Sequence, residues 1–232
     1  MRYDAVIFDL FGTLVPFPGS EDETAMLGRV ATTLGVDYQQ FLLYWREYLP
    51  AREAGRLGTL AENFEHACRT LGVAVDPTRI AKADKIKHHQ VEAYLRIVPE
   101  SEGALIRVRR AGLLVGLISN GPPETAGVWP STAWAPLVDQ SVFSAAVGML
   151  KPDPAIYMHA CGLLGVAPER CLYVGDGGSR ELTGATGVGM DAVLVRGSVE
   201  NGGFYADQLD DAHDWPGPLV ASVAEIPGML QG

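Results

Sequence analysis

The sequence predicts an α/β protein: a parallel sheet covered on both faces by helices and interrupted once by an all-helical block. Three observations carry this. Short continuous apolar runs, such as residues 5–8, 113–118 and 171–174, have the length and branching of strands buried on both faces. After residue 95 such runs alternate with helical patterns, as a covered parallel sheet requires. Between residue 21 and about residue 95 only helical periodicity is found.

The elements follow in order. The first strand is expected over 4–9, and a cluster of Pro16, Pro18 and Gly19 ends it. A helix is expected near 23–34, with Ser20 and acidic residues at its start. Others are expected near 38–48, 59–71 and 77–94. The pattern then changes. Residues 101–111 read as a helix ended by Gly112, and 113–118 as an apolar strand. Residues 141–144 read as a short strand, and 154–164 as a helix closed by Gly165. A strand at 171–174 runs into Gly175-Asp176, a short helix lies near 181–186, and 192–195 and 219–222 complete the sheet. The Gly- and Asp-rich stretch 197–218 reads as irregular surface. The expected division is a core of residues 1–16 and 95–232 with a helical insertion at 17–94.

At 232 residues, 47% hydrophobic and 20% charged, the chain has an ordinary soluble composition and can bury a large core. Its net charge of −10 argues against nucleic acid and anionic membrane as partners. An anionic small substrate stays possible, because a bound divalent cation reverses the local field. No stretch of about 18 apolar residues exists, so no membrane span is expected. The N-terminus has no basic start followed by an apolar stretch, so no signal peptide is expected. The three cysteines, Cys68, Cys161 and Cys171, lack ligand spacing and read as reduced structural thiols of a cytoplasmic protein. The five histidines show no ligand spacing either.

Four polar signals fall at or just after expected elements. The first is Asp9, where an apolar strand ends abruptly in a carboxylate, with Gly12 to turn the chain and Thr13 to offer a hydroxyl. Burying that carboxylate is costly unless a cation or several donors compensate it. The second is Ser119-Asn120-Gly121, directly after a strand. The third is Lys151-Pro152-Asp153-Pro154, just before a helix. The fourth is Gly175-Asp176, followed five residues later by Glu181. In a parallel sheet these strand ends share one rim, where ligands bind. Asp9 and Asp176 can hold Mg²⁺ through oxygen ligands, with the Phe11 carbonyl as a further ligand. Ser119 and Lys151 suit the non-bridging oxygens of a phosphoryl group. A carboxylate nucleophile then forms an aspartyl intermediate that water breaks down. Position 11 carries Phe, so a second carboxylate there for proton transfer is missing.

Phe8-Asp-Leu-Phe-Gly-Thr-Leu14, Ser119-Asn120, Lys151-Pro152 and Gly175-Asp176 together resemble motifs I to IV of the haloacid dehalogenase (HAD) superfamily, in the family's order. The resemblance implies a Rossmann-like core, Mg²⁺ dependence and nucleophilic attack by Asp9. The helical block resembles the inserted cap of the subgroup with a C1 helical cap. Many relatives are phosphatases, most with an acid/base Asp where this chain has Phe11. Dehalogenase members carry Tyr there, work without Mg²⁺ and lack the acid that Asp176 matches. Glu181 stands where Asp is commoner in motif IV. The expected function is therefore a Mg²⁺-dependent phosphatase acting on a small phosphorylated metabolite through an aspartyl-phosphate at Asp9. The expected site comprises Asp9, Thr13, Ser119, Asn120 and Lys151, with Asp9, Phe11, Asp176 and Glu181 at the metal. The alternatives are a metal-independent dehalogenase-like hydrolase and a catalytically weak binding or regulatory member.

Each signal also has a plainer reading. Taken singly, Ser119 is a turn residue, Lys151 a solvated loop lysine and Asp176 a turn acid. Glu181 either answers the dipole of a helix start or reaches a metal through water. Tyr157 reads as packing. Tyr44, Arg46, Tyr48 and Arg52 form a polar-aromatic cluster that either faces a substrate or lies on a solvated helix face.

Overall fold

The computed structural model describes residues 2–17, 19–196 and 211–230. Its sheet comprises β1 (Ala5–Phe8), β2 (Leu114–Ser119), β3 (Gln140–Phe143), β4 (Cys171–Gly175), β5 (Asp191–Val195) and β6 (Leu219–Val220). The spatial order is β3-β2-β1-β4-β5-β6. Every pairing is parallel. The strand carrying Asp9 is thus central, flanked by the strands that lead to Ser119 and Asp176. The order reverses at β1, and ligands in such sheets bind at that switch point.

The helices are α1 (Ser20–Leu34), α2 (Tyr38–Glu47), α3 (Leu49–Glu53), α4 (Leu60–Thr70), α5 (Pro77–Tyr94), α6 (Pro99–Arg110), α7 (Pro123–Val128), α8 (Ser144–Val147), α9 (Pro154–Leu164), α10 (Glu181–Gly187) and α11 (Ile226–Met229). Among the described residues, no strand lies between Val15 and Leu114. Local chemistry fixes several helix ends. Thr59 and Glu62 form a capping box at α4. Asp37 and Asp76 accept backbone N–H groups at the starts of α2 and α5. No helix among the described residues is long and apolar enough to cross a membrane.

Strand alternation divides the core. Val6, Phe8, Val115, Leu117, Leu172 and Val174 pack on one face of the sheet with α6. Ala5, Ile7, Ile118, Cys171, Tyr173 and Leu194 pack on the other with α9 and α10. Helices α1, α2, α4 and α5 bury a third cluster of their own, centred on Phe41, Trp45 and Phe64.

The differences from the sequence reading are local. Ser119 is the last residue of β2 rather than the first after it. The strand expected at 141–144 is Gln140–Phe143, and Ser144 opens α8 instead. Four short helices, α3, α7, α8 and α11, have too few turns to show a period. Pro123 occupies the first turn of α7, where a missing N–H costs nothing. Of the stretch read as irregular surface, residues 197–210 lie outside the described residues.

Candidate active site

Asp9 follows the last residue of β1 and is 6% exposed. Its N–H donates to Val174 O at 2.9 Å, tying the strand end to β4. The chain then turns: Gly12 has φ of 82°, and its N–H donates to Val15 O at 2.8 Å. Only glycine fits there. A Cβ at Gly12 would sit 2.1 Å from Asp176 Oδ2. Asp9 and Asp176 thus converge across a glycine from strands adjacent in the sheet.

Lys151, between α8 and α9, reaches in from the other side and is 6% exposed. Its Nζ donates to Asp9 Oδ1 at 2.6 Å and to Glu181 Oε2 at 2.5 Å. It also donates to Ile118 O at 3.4 Å and Tyr173 Oη at 3.3 Å. Burial opposes its charge, but Asp9 and Glu181 outweigh burial and hold the ammonium protonated. Asn120 fixes the backbone of this lysine from both sides. Its Oδ1 accepts from Lys151 N at 2.9 Å, and its Nδ2 donates to Lys151 O at 3.1 Å. Asn120 therefore positions Lys151. Ser119, at the end of β2, is buried and lines the same cavity.

Asp176 follows β4 and is 2% exposed. Its Oδ1 accepts from Gly178 N at 2.9 Å, whereas its Oδ2 is buried without a partner. Burial, and then the charge of Asp9, raise its carboxyl to about 7. Ser179 and Arg180 are left-handed, with φ of 54° and 50°, and tighten the turn that returns Glu181 to the site. The carboxylates of Asp9, Asp176 and Glu181 offer ligand atoms within 4.8 Å of one another. With all three ionised, these buried carboxylates would share one ammonium with an excess of two negative charges, and that crowding, with burial first, raises the carboxyls of both Asp176 and Glu181.

Glu181 differs from the other two acids because both its oxygens already have protein donors. Oε2 accepts from Lys151 and from Tyr173 Oη at 2.7 Å, and Oε1 accepts from Gly177 N at 3.1 Å. Glycine at 175 is needed here too, since a Cβ would lie 2.0 Å from Glu181 Oε1. Tyr157 is fully buried, and its hydroxyl donates to Glu181 O at 3.0 Å. It packs, as read, and also anchors α10. Thr13 is 6% exposed, and its Oγ1 is buried without a partner. Phe11 is half-buried, leaning on the core with its ring at the cavity.

The helices of residues 20–94 close the cavity with residues the sequence reading did not single out: Glu23, Glu53, Lys87, Val91 and Tyr94. Lys87 Nζ donates to Glu23 Oε1 at 3.0 Å, and both side chains are buried. The signal was available. Ile80, Ala83, Lys87 and Val91 form the buried stripe of α5, and a lysine inside an apolar stripe stands out. The cluster Tyr44, Arg46, Tyr48 and Arg52 does not line the cavity. Tyr44 stacks on Tyr48 and bonds His66 at 2.6 Å. Arg52 is buried over the Trp45 ring, pairing with Glu124 of α7 at 2.6 Å and donating to Asn63 at 3.1 Å.

A haloacid dehalogenase-like hydrolase family model matches residues 3–189 of this chain. The glyceraldehyde 3-phosphate phosphatase of Methanopyrus kandleri is 28% identical over 203 residues, covering 83% of each chain. The (S)-2-haloacid dehalogenase 1 of a Pseudomonas species is 25% identical over 198 residues, covering 82% of this chain and 83% of its own. A solved structure of a 2-haloacid dehalogenase from Pseudomonas syringae superposes with a TM-score of 0.71 at 22% identity, covering 98% of each chain. That likeness concerns the fold.

Proposed function

The chain belongs to the haloacid dehalogenase-like hydrolase family, and we propose that it is a Mg²⁺-dependent phosphatase of small phosphorylated metabolites. One observation carries the reading. The buried acids Asp9, Asp176 and Glu181 keep an unpartnered carboxylate oxygen on Asp176 and, when ionised, an excess of two negative charges over a single lysine. A hard divalent cation held by oxygen ligands answers both features. Asp9, Asp176 and the Phe11 carbonyl would hold it. Glu181, committed to Lys151 and Tyr173, supports the site at one remove. When bound, Mg²⁺ neutralises charge on the phosphoryl oxygens.

The protein's own groups do the rest. Asp9 attacks phosphorus and forms an aspartyl-phosphate, which water then cleaves. Lys151 keeps Asp9 oriented and presents its positive charge to the phosphoryl group. Ser119 supplies a hydroxyl at the cavity wall, Thr13 keeps a buried hydroxyl without a partner in the turn after Asp9, and Asn120 holds Lys151 in register. In this reading residues 17–94 are a cap that selects the substrate, and residues 1–16 and 95–232 are the catalytic core.

The second reading, a metal-independent dehalogenase-like hydrolase, draws on Phe11 and on the dehalogenase among the relatives. One experiment separates the two. Phosphate release from p-nitrophenyl phosphate and glyceraldehyde 3-phosphate is measured with Mg²⁺ and with EDTA, beside halide release from 2-chloropropionate. Phosphate release abolished by EDTA is expected. Halide release that ignores EDTA, with no phosphate release, would overturn the proposal.

A further inference from the structure

Position 11 cannot move a proton, so any poor leaving group must receive one from elsewhere. The cavity offers an acid on its opposite wall. Glu53 ends α3 and lines the same cavity as Asp9, Phe11, Ser119 and Lys151. Its backbone is clamped to the core. Ser144 Oγ donates to Glu53 O at 2.7 Å while accepting from Gly121 N at 3.0 Å, so the turn after Ser119 and the end of α3 share one hydroxyl. Two residues on, a Cβ at Gly55 would lie 2.2 Å from Ala145 O, so the chain presses directly on α8. On its other side Arg52 is locked to Glu124. Glu53 is therefore held on both flanks, with its half-buried side chain at the cavity wall.

Resting on the phosphatase reading, we infer that Glu53 is the general acid and base of this enzyme, delivered from the helical segment in place of the acid that Phe11 displaces. In the first half-reaction the Asp9 carboxylate forms a bond to phosphorus and the P–O bond to the leaving group breaks. The Glu53 proton passes to the departing alkoxide, which leaves as the alcohol. In the second, ionised Glu53 takes a proton from the water that attacks phosphorus, the Asp9–phosphorus bond breaks, and phosphate leaves. Glu53 ends protonated, as it began. Its surroundings suit both states. Burial raises the carboxyl to about 7, against the opposing charges of Arg52 on α3 and Lys151 from the core, with Glu124 of α7 adding to the rise.

The test compares glycerol 2-phosphate, a poor leaving group, with p-nitrophenyl phosphate, whose leaving group departs without a proton. Wild type, Glu53→Gln, Glu53→Asp, Phe11→Asp and the double variant Phe11→Asp/Glu53→Gln are assayed with Mg²⁺ across pH. Glu53→Gln is expected to lower kcat on glycerol 2-phosphate about 10²–10⁴-fold; on p-nitrophenyl phosphate it should keep the first-turnover burst of p-nitrophenol, which needs no proton and reports that the variant is folded, while steady-state turnover falls because the water has lost its base. The fall in the glycerol 2-phosphate rate above pH about 7 should disappear with Glu53. Glu53→Asp should retain part of the rate, and Phe11→Asp should rescue Glu53→Gln, because it places an acid at position 11. Loss of the p-nitrophenol burst, undiminished turnover of glycerol 2-phosphate, or no rescue by Phe11→Asp would overturn the assignment. A wild type that releases phosphate from neither ester would instead remove the phosphatase reading, and this inference with it.

Discussion

Replacing Asp176 with Asn should stabilise the metal-free protein above neutral pH. Asp176 is 2% exposed, one of its oxygens is unpartnered, and burial with the nearby Asp9 charge raises its carboxyl from 3.8 to about 7. The sign follows from linkage. Below about pH 4 the acid is neutral in the folded and unfolded chain alike and costs nothing. Between about pH 4 and 7 the folded protein keeps a proton that the unfolded chain has lost, so stability falls as pH rises. Above about pH 7 the loss is complete. About three pKa units at about 1.36 kcal/mol each give about 4 kcal/mol, an upper figure for a carboxyl in a cluster of buried acids. Asn still accepts the Gly178 N–H and carries no charge. Urea denaturation in EDTA, followed by tryptophan fluorescence, should place the variant above wild type at pH 8 and level with it near pH 4. Added Mg²⁺ should stabilise wild type at pH 8, by about 2.7 kcal/mol at a hundredfold excess over Kd, and leave the variant unmoved. A wild-type-minus-variant difference that is flat across pH, or an equal response of both proteins to Mg²⁺, would refute the reasoning.

Two further perturbations follow from the geometry. Arg52→Met removes the partner of Glu124, whose second oxygen is already unpartnered, and should cost about 3–5 kcal/mol. Adding Glu124→Leu should recover most of that loss, and denaturant midpoints that do not recover would count against a buried-charge origin. Gly12→Ala places a methyl 2.1 Å from Asp176 Oδ2 at a φ of 82°, so calorimetric titration should show weakened Mg²⁺ binding together with about 1–3 kcal/mol lost stability. Unchanged affinity would mean that this glycine does not shape the cradle.

The sheet was legible because a buried parallel strand needs a continuous apolar run, and β1, β2 and β4 provide one. The rim of the site was legible for the same reason. A carboxylate or hydroxyl at the end of such a run, as at Asp9, Ser119 and Asp176, is costly to bury without a partner. The partnerships across the chain were not legible. Lys151 meets Glu181 over 30 residues and Lys87 meets Glu23 over 64, and no local period encodes such distances. Glu181 looked like a helix-start acid with an open metal role, because Tyr173, its second donor, reads only as a core residue of β4. Arg52 was the hardest case. A charged residue beside aromatics reads as a solvated face unless Glu124 is known to lie opposite.

The charge of the cavity bears on which hydrolase this is. A 2-haloacid is itself a carboxylate, and binding it without a metal needs a free cation near Asp9. The lysines lining the cavity are not free in that sense. Lys151 is shared between Asp9 and Glu181, and Lys87 is paired with Glu23. An anion brought to Asp9 would therefore meet the unbalanced charge of Asp9, Asp176 and Glu181 in a buried site, where such charge is poorly screened. A divalent cation would remove that excess and so admit a phosphate dianion. On the proposed reading, the charge that would disfavour metal-free dehalogenation is the same one that would favour a bound cation, and it lies in Asp176 rather than in Phe11. On this argument Asp176→Asn is the single change expected to bring the site closer to accepting a 2-haloacid. Halide release from 2-chloropropionate by wild type and Asp176→Asn, both in EDTA, measures it. Halide release by wild type that equals or exceeds that of the variant would show that the cavity charge does not govern the choice.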